Sequence, residues 1–153
     1  VYGEKETSMN RFVTHFDLLP TSVRKRLVIE NDERSYTAND CLQISKQNHI
    51  PVLFDVLHHE INNLDEPIQK MFSLIADTWK TSDGIPMVDY SSQERNEKTG
   101  KHATHINQKD FICFLQSINS IDIDIMLEIK DKEKSAVEAI SLAKKDTRFI
   151  HVS

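Results

Sequence analysis

The sequence predicts an α/β fold built on a parallel sheet, and three observations carry that expectation. Four short apolar runs have strand composition, helical segments separate them, and every run ends on an acidic residue. Strands divided by helices of ten or more residues pair in parallel through right-handed crossovers. Near-continuous apolar strands further predict a sheet covered on both faces.

The elements follow in order. Residues 6–19 read as an opening helix, and residues 26–30 (RLVIE) as the first strand. Residues 35–40 then lead into a helix at 41–46 with Cys41, Leu42 and Ile44 on its apolar side. The second strand, 51–55 (PVLFD), and the third, 86–89 (PMVD), both open on proline, where the missing N–H costs least. Between them, residues 67–80 place Ile68, Met71, Phe72, Ile75 and Trp79 at spacings of three and four, an amphipathic stripe. A third helix starts near 107–110 and runs through Phe111, Ile112, Phe114, Leu115 and Ile118. After the strand at 123–128 (IDIMLE), a last helix at 135–145 is expected to bury Val137, Ile140, Leu142 and Ala143. Gly84 and Gly100 punctuate loops, and the charged 91–101 run is the expected flexible segment.

At 153 residues the chain has the size of one domain, spanning 1–153, with 39% hydrophobic and 28% charged residues. Cys41 and Cys113 form no C-x-x-C pair and lie in apolar stretches, which predicts buried thiols in a reducing compartment. No apolar run reaches the length of a membrane span and no signal-peptide pattern opens the chain, so a cytoplasmic location is expected. The chain starts at Val1 on VYGEKE, which reads as the exit from an earlier element of a longer protein. A net charge of −5 argues against unassisted binding of a polyanion, although bound cations would reverse that locally. The absence of G-x-S-x-G, P-loop and G-x-G-x-x-G patterns removes serine hydrolase, nucleotide-hydrolase and Rossmann readings.

Glu30, Asp55, Asp89 and Glu128 each close a predicted strand. In parallel α/β folds the C-terminal strand ends line one crevice or barrel mouth. A single such residue usually caps the next helix. Four in one crevice repel one another, and a bound cation is the usual remedy. His58, a short loop after Asp55, and His102, in the loop region beyond the third strand, add imidazole. Carboxylates with imidazole and no thiolate suit Mn²⁺, Zn²⁺ or Fe²⁺ better than Ca²⁺. His105 is a candidate at a helix start or behind the ligands, and His15, His49 and His151 read as structural or surface residues. Lys130, Lys132 and Lys134 follow Glu128 at the same mouth, either as a solvated helix start or as phosphate contacts.

The run Leu27-Val28-Ile29-Glu30-Asn31-Asp32-Glu33 with Tyr36-Thr37 resembles the LENDD-x-x-YT signature of the UV damage endonuclease family. Pro51 to His59 resembles that family's P-x-x-F-D-x-x-H-H segment, and Tyr90-Ser91-Ser92 and Gly100-Lys101-His102-Ala103 resemble its S-S and S/G-x-H-A elements. Asp124 to Lys132 resembles its D-x-M-x-E-x-K-x-K segment, and Val1 to Lys5 fits the piece after its H-I-G-G. The resemblance spans nearly the whole chain in one order and roughly half the family's length.

It implies an eight-stranded (β/α)8 TIM-type barrel, xylose isomerase-like, of which this chain supplies about four βα units as the C-terminal half-barrel. It implies an enzyme that nicks damaged double-stranded DNA on the 5′ side of a lesion, with two or three divalent cations, typically Mn²⁺, in the complete barrel. Glu30, Asp55, His58, Asp89, His102 and Glu128 fall at or beside metal-ligand positions. The reactive water is cation-bound, and no side chain is assigned to catalysis. Ser91, Lys130 and Lys132 are the candidate phosphate contacts, Asn31, Asp32 and His59 support the ligands, and Glu33 is left to solvent. Where many members read K-x-H, this chain reads Met87-Val88-Asp89, so a lysine is absent and a carboxylate replaces an imidazole. The half-barrel would need its missing N-terminal half or a second copy of the chain. The rival readings are a sugar isomerase or epimerase on the same barrel and a flavodoxin-like, Mg²⁺-binding interaction module.

Overall fold

The computed structural model describes residues 3–150. Val1 and Tyr2, which belong to the VYGEK resemblance, and His151 lie outside the described residues.

The order is α1 (Lys5–Asp17), α2 (Thr21–Arg24), β1 (Ile29–Glu30), α3 (Ala38–Asn48), β2 (Val52–Asp55) and α4 (Val56–Ile61). It continues α5 (Ile68–Ala76), β3 (Met87–Tyr90), α6 (Gln108–Ser117), β4 (Asp124–Leu127) and α7 (Glu133–Ala143). The four strands form one sheet in the order β1-β2-β3-β4, and every pair is parallel. A doubly wound sheet reverses its order at a switch point. The described strands do not, which disfavours the flavodoxin-like module.

Alternate strand residues point to opposite faces. Ile29, Val52, Phe54, Val88, Tyr90, Ile125 and Leu127 share a core with Ala38, Cys41 and Leu42 of α3, Met71, Phe72 and Ile75 of α5, Phe111, Phe114 and Leu115 of α6, and Ala139 of α7. The intervening positions, Glu30, Leu53, Asp55, Met87, Asp89, Asp124 and Met126, therefore face the other way. Covering both faces was the expectation, and only β2 and β3 approach it; β4 alternates exposed and half-buried residues. Helices α3, α5, α6 and α7 pack on the first face, and the second carries the acids.

Several boundaries differ from the expected ones. β1 is shorter than 26–30 because the N–H groups of Arg26 and Leu27 donate to Val23 and Arg24 in the turn after α2, leaving Leu27 and Val28 partly exposed. Asp89 stands one residue before the end of β3, and Glu128 one residue after β4, its N–H still donating to the Tyr90 carbonyl. The helix expected at 67–80 stops at Ala76. Thr78 and Trp79 then serve β2 directly: Val52 N–H donates to Thr78 Oγ1 at 3.0 Å and Trp79 Nε1 donates to the Val52 carbonyl at 2.7 Å. Those bonds satisfy Val52 where β3 pairing has not begun, since the register there starts at Phe54↔Val88. Val137 and Ile140 are 69% and 48% exposed rather than buried, because α7 meets the core chiefly through Ser135 and Ala139. Cys41 is buried, but Cys113 lies on the open side of α6. No helix among the described residues is long and apolar enough to cross a membrane.

Candidate metal centre

The turn after β1 is fixed by its own side chains. Asp32 Oδ1 accepts from the N–H groups of Arg34, Ser35 and Tyr36, which holds its carboxyl below the usual range although burial opposes this. Thr37 and Asp40 then form a reciprocal capping box that starts α3. Asn31 is buried and turns its amide to Asp55, donating through Nδ2 to the carbonyl at 2.9 Å and accepting from the N–H at 3.0 Å.

Asp55 combines two roles that the sequence presented as alternatives. As the N-cap of α4 its Oδ1 accepts from His58 N–H at 2.7 Å, while Oδ2 lies 3.3 Å from His58 Nδ1. His58 is consequently on a helix rather than beyond a loop. Its Nδ1 also stands 3.0 Å from the Asn31 carbonyl and 3.3 Å from Glu30 Oε1. A carbonyl can only accept, so Nδ1 carries the proton of that bond. On the far side of the ring, Nε2 faces Glu33 Oε2 at 3.6 Å. Glu33 thus belongs to the centre and not to solvent.

His102 is tethered in the same way, its Nδ1 3.0 Å from the Glu128 carbonyl and 3.5 Å from Glu128 Oε2. The two imidazole rings meet edge to face with centroids 6.0 Å apart. The bridge between Gln93 and His102 closes a hairpin that delivers His102, and Ala103 and Thr104 in turn accept from the N–H groups of Lys130 and Asp131.

Two sets of candidate ligands come within 4.8 Å of one another, Glu30 with Asp55 and His58, and Asp55 with Asp89 and Glu128. Asp55 belongs to both. The crowding shows in the acidities: burial first, then Asp55 and Asp89, push Glu30 up to about 7. Burial, then Glu128 and Asp55, push Asp89 up to about 6. Asp55 is raised too, chiefly by burial. Burial alone would lower His58, but Asp55, the Asn31 bond and Glu30 outweigh it and raise the imidazole. Asp89 Oδ1 is buried without a hydrogen-bond partner. An orphaned oxygen among carboxylates, with imidazole beside it, is a donor set that fits a divalent cation.

The chain as a whole can now be placed. The model of the family described as UV-endonuclease UvdE matches residues 1–152. This chain belongs to the UvdE family. The UV DNA damage endonuclease of Clostridium perfringens (strain 13 / Type A) is 40% identical over 153 residues, covering 99% of this chain and 37% of the relative. That of Bacillus cereus (strain Q1) is 32% identical over 142 residues, covering 91% of this chain and 44% of the relative. The crystal structure of SacUVDE shares 47% identity at a TM-score of 0.89, over 95% of this chain and 48% of that one. The chain therefore spans less than half the length of these UvdE relatives.

The remaining expected residues are distributed unevenly around the centre. Lys130 and Lys132 are exposed just after Glu128, with Lys132 at φ 52° as the N-cap of α7. Ser91 is 2% exposed, and its hydroxyl donates to the Ser92 carbonyl at 3.3 Å. His59 turns away: it packs on Phe54 at 5.0 Å, bonds the Glu66 carbonyl and is lowered by burial. It braces α4 and touches no ligand through these contacts. His105, largely exposed, pairs with Asp131 at 2.8 Å. Glu33 was missed because the segments that pin it are distant in sequence: Gly100 lies against its side chain, and a Cβ there would stand 3.3 Å from Glu33 Cγ.

Proposed function

We propose that this chain forms the metal-holding portion of a DNA repair endonuclease that nicks damaged duplex DNA on the 5′ side of UV photoproducts or other lesions. The observation that carries the reading is the gathering of Glu30, Asp55, His58, Asp89, His102 and Glu128 at the C-terminal ends of four consecutive parallel strands. Membership of the UvdE family and the names of its relatives supply the substrate class. The order of the strands suits one half of a (β/α)8 barrel, the rest coming from the missing N-terminal half-barrel or from a second copy of the chain. The expected setting is the cytoplasm.

Divalent cations, Mn²⁺ foremost and two or three in the complete barrel, would supply Lewis-acid polarisation of the phosphodiester and a more acidic water. The chain's own residues hold and orient. Asp55 serves both ligand sets, Asn31 fixes its main chain, and the Asn31 and Glu128 carbonyls fix the rings of His58 and His102. Asp32 shapes the turn that carries Glu30, and His59 braces α4 from the core. Lys130 and Lys132 are exposed and positioned to meet backbone phosphates beside the acidic centre, where net charge alone would repel DNA. Ser91 reaches a phosphate only by turning its hydroxyl away from Ser92. By the resemblance to the family's K-x-H element, Met87 stands at the position of its lysine, and this chain does not supply that side chain there.

The full protein, given UV-irradiated duplex and Mn²⁺, is expected to nick beside the photoproduct, and Glu30→Gln or His102→Ala to reduce nicking strongly. Undiminished nicking in both variants would remove the site assignment. Turnover of an aldose or ketose without DNA cleavage would instead favour the isomerase.

A further inference from the structure

The charged run at 91–101, a flexible segment by its composition, is instead a folded hairpin. Glu94 N–H donates to the Lys101 carbonyl at 2.8 Å and Ala103 N–H to the Ser92 carbonyl at 2.9 Å, on either side of the bridge between Gln93 and His102. The Gln93 amide fills the loop: Nε2 donates to the carbonyls of Glu94 and Lys98 at 3.0 and 3.1 Å, and Oε1 accepts from Gly100 N–H at 2.8 Å. Gly100 in turn lies against Glu33. The hairpin therefore reaches from the end of β3 to the turn after β1, beside the acidic centre. A segment already ordered spends little conformational entropy when it meets a partner.

Its charges are sorted. Glu97 is engaged by Lys101 at 2.5 Å, and Glu94 by the N–H groups of Thr104 at 2.6 Å and Arg95 at 3.1 Å. Arg95 and Lys98 are exposed at the tip, and no ion pair holds either among the described residues. The adjoining β4–α7 turn follows the same rule. The Ala103 and Thr104 carbonyls join it to the exit of the hairpin, its Asp131 is paired with His105, and Lys130, Lys132 and Lys134 stay exposed. The other two turns of the mouth differ. Residues 56–67 carry Glu60, Asp65 and Glu66 without a Lys or Arg, and in 31–37 the one cation, Arg34, is paired with Glu33 at 3.2 Å. Among the described turns of the mouth, unengaged positive charge stands on the β3–β4 side.

We propose that the hairpin at 93–102 is a preformed contact for the DNA backbone: Arg95 and Lys98 each meet a phosphate of the duplex flanking the lesion, so that the duplex leaves the centre over the β3–β4 side. This rests on the endonuclease reading above and adds to it an element, two residues and a direction. Phosphate contacts fix register and carry no sequence information, so the pair sets how the duplex lies and leaves recognition of damage to other parts of the protein.

The test is equilibrium binding of the full protein to a fluorescent duplex, with or without a thymine photoproduct, at fixed Mn²⁺ and varied salt, with cleavage-resistant phosphorothioate linkages beside the lesion. In the Arg95→Ala/Lys98→Ala protein the slope of log affinity against log salt is expected to fall by about 1.8 units, ~0.9 for each phosphate contact. Both duplexes lose affinity by the same factor, so the preference for damage is kept. On cleavable duplex, KM rises several-fold more than kcat falls. Lys80→Ala removes a charge at the opposite end of the strands and leaves the slope as it is. The charge-keeping Arg95→Lys/Lys98→Arg protein retains the slope, which separates lost charge from a disturbed hairpin. An unchanged slope in the double alanine variant, a loss confined to the damaged duplex, or an equal loss of slope in the charge-keeping variant overturns the inference while the endonuclease reading stands. Failure of the unsubstituted protein to nick UV-irradiated duplex with Mn²⁺ overturns that reading and this inference with it.

Discussion

Asn31 grips the main chain of Asp55 at both ends of its amide, continuing the β1–β2 ladder for one residue after β1 has stopped. The side chain stands in for a missing strand and sets the height at which the Asp55 carboxylate is presented. Asn31→Ala leaves a buried N–H and a buried carbonyl unpaired, so a loss of ~2–5 kcal/mol in urea unfolding is expected, together with weaker Mn²⁺ binding. Full stability in that variant would show that water replaces the amide without cost.

The raised acidities of the centre fix the sign of its pH dependence. Glu30 at about 7, Asp89 at about 6 and the raised Asp55 and His58 all hold protons more tightly folded than unfolded. For the three carboxyls the contribution to stability is complete below the ordinary carboxylate range and is lost as pH rises toward 7, whereas for His58 it persists up to the ordinary imidazole range and is lost above it. Lowered groups such as Asp32 and Asp146, the latter at about 2, act in the opposite sense, but in more acidic solution. The metal-free protein is therefore expected to melt at progressively lower temperature between about pH 5 and 8, with Mn²⁺ flattening or reversing the trend. Calorimetry at constant ionic strength, with and without chelator, checks this; a metal-free midpoint that climbs through that window would contradict it.

Glu33 depends on Gly100. The glycine has φ 84°, a conformation unfavourable to other residues, and its bare Cα leaves room for the Glu33 side chain. Gly100→Ala is expected to cost ~1–3 kcal/mol from the backbone alone and to displace Glu33 from His58. Glu33→Gln keeps the shape and removes the charge, so Mn²⁺ affinity should fall about tenfold, as for other residues that act through a ligand. Isothermal titration of both variants with Mn²⁺ separates the charge effect from the displacement.

Local pattern made the element order legible, because strand composition and helical stripes are properties of neighbouring residues. Glu30 and Asp55 were legible for the same reason, as strand-end acids repeated along the chain. What escaped was set by partners far away or by context. α4 follows β2 with no turn residue between them, so VLHHEI gave no helix start apart from Asp55 itself. The acid at position 33 reads as solvated until the hairpin bearing Gly100 closes over it. His58 and His59 are indistinguishable in sequence, yet the rotation of about 100° between successive residues of α4 sends the first to the carboxylates and the second against Phe54. Val137 and Ile140 looked like a core stripe, but the surface they face is uncovered among the described residues.

At the opposite end of the strands, Arg148 replaces a helix cap. Its guanidinium donates to the carbonyls of Leu115, Ile118 and Ile121 at 2.6–3.0 Å and is held by Asp146 at 2.6 Å. Arg148→Ala should cost roughly 2–4 kcal/mol, since a charged donor and several buried acceptors lose their partners together. Arg148→Lys should recover little of it, because an ammonium cannot reproduce the fork. Chemical denaturation measures both, and Mn²⁺ affinity is expected to stay unchanged.

The uninterrupted order of the strands has a kinetic consequence. Each strand pairs with the one nearest in sequence, so the sheet can grow by adding βα units at one edge, with only modest loop closure at each addition. Asp89 and Glu128 approach each other only when β4 docks on β3, which concentrates the mutual repulsion of the acids in that late event. A divalent ion present during refolding would screen that encounter and speed closure, whereas the same ion supplied afterwards could only slow unfolding. Metal supply would then act on the rate at which new chains mature as well as on the stability of finished ones.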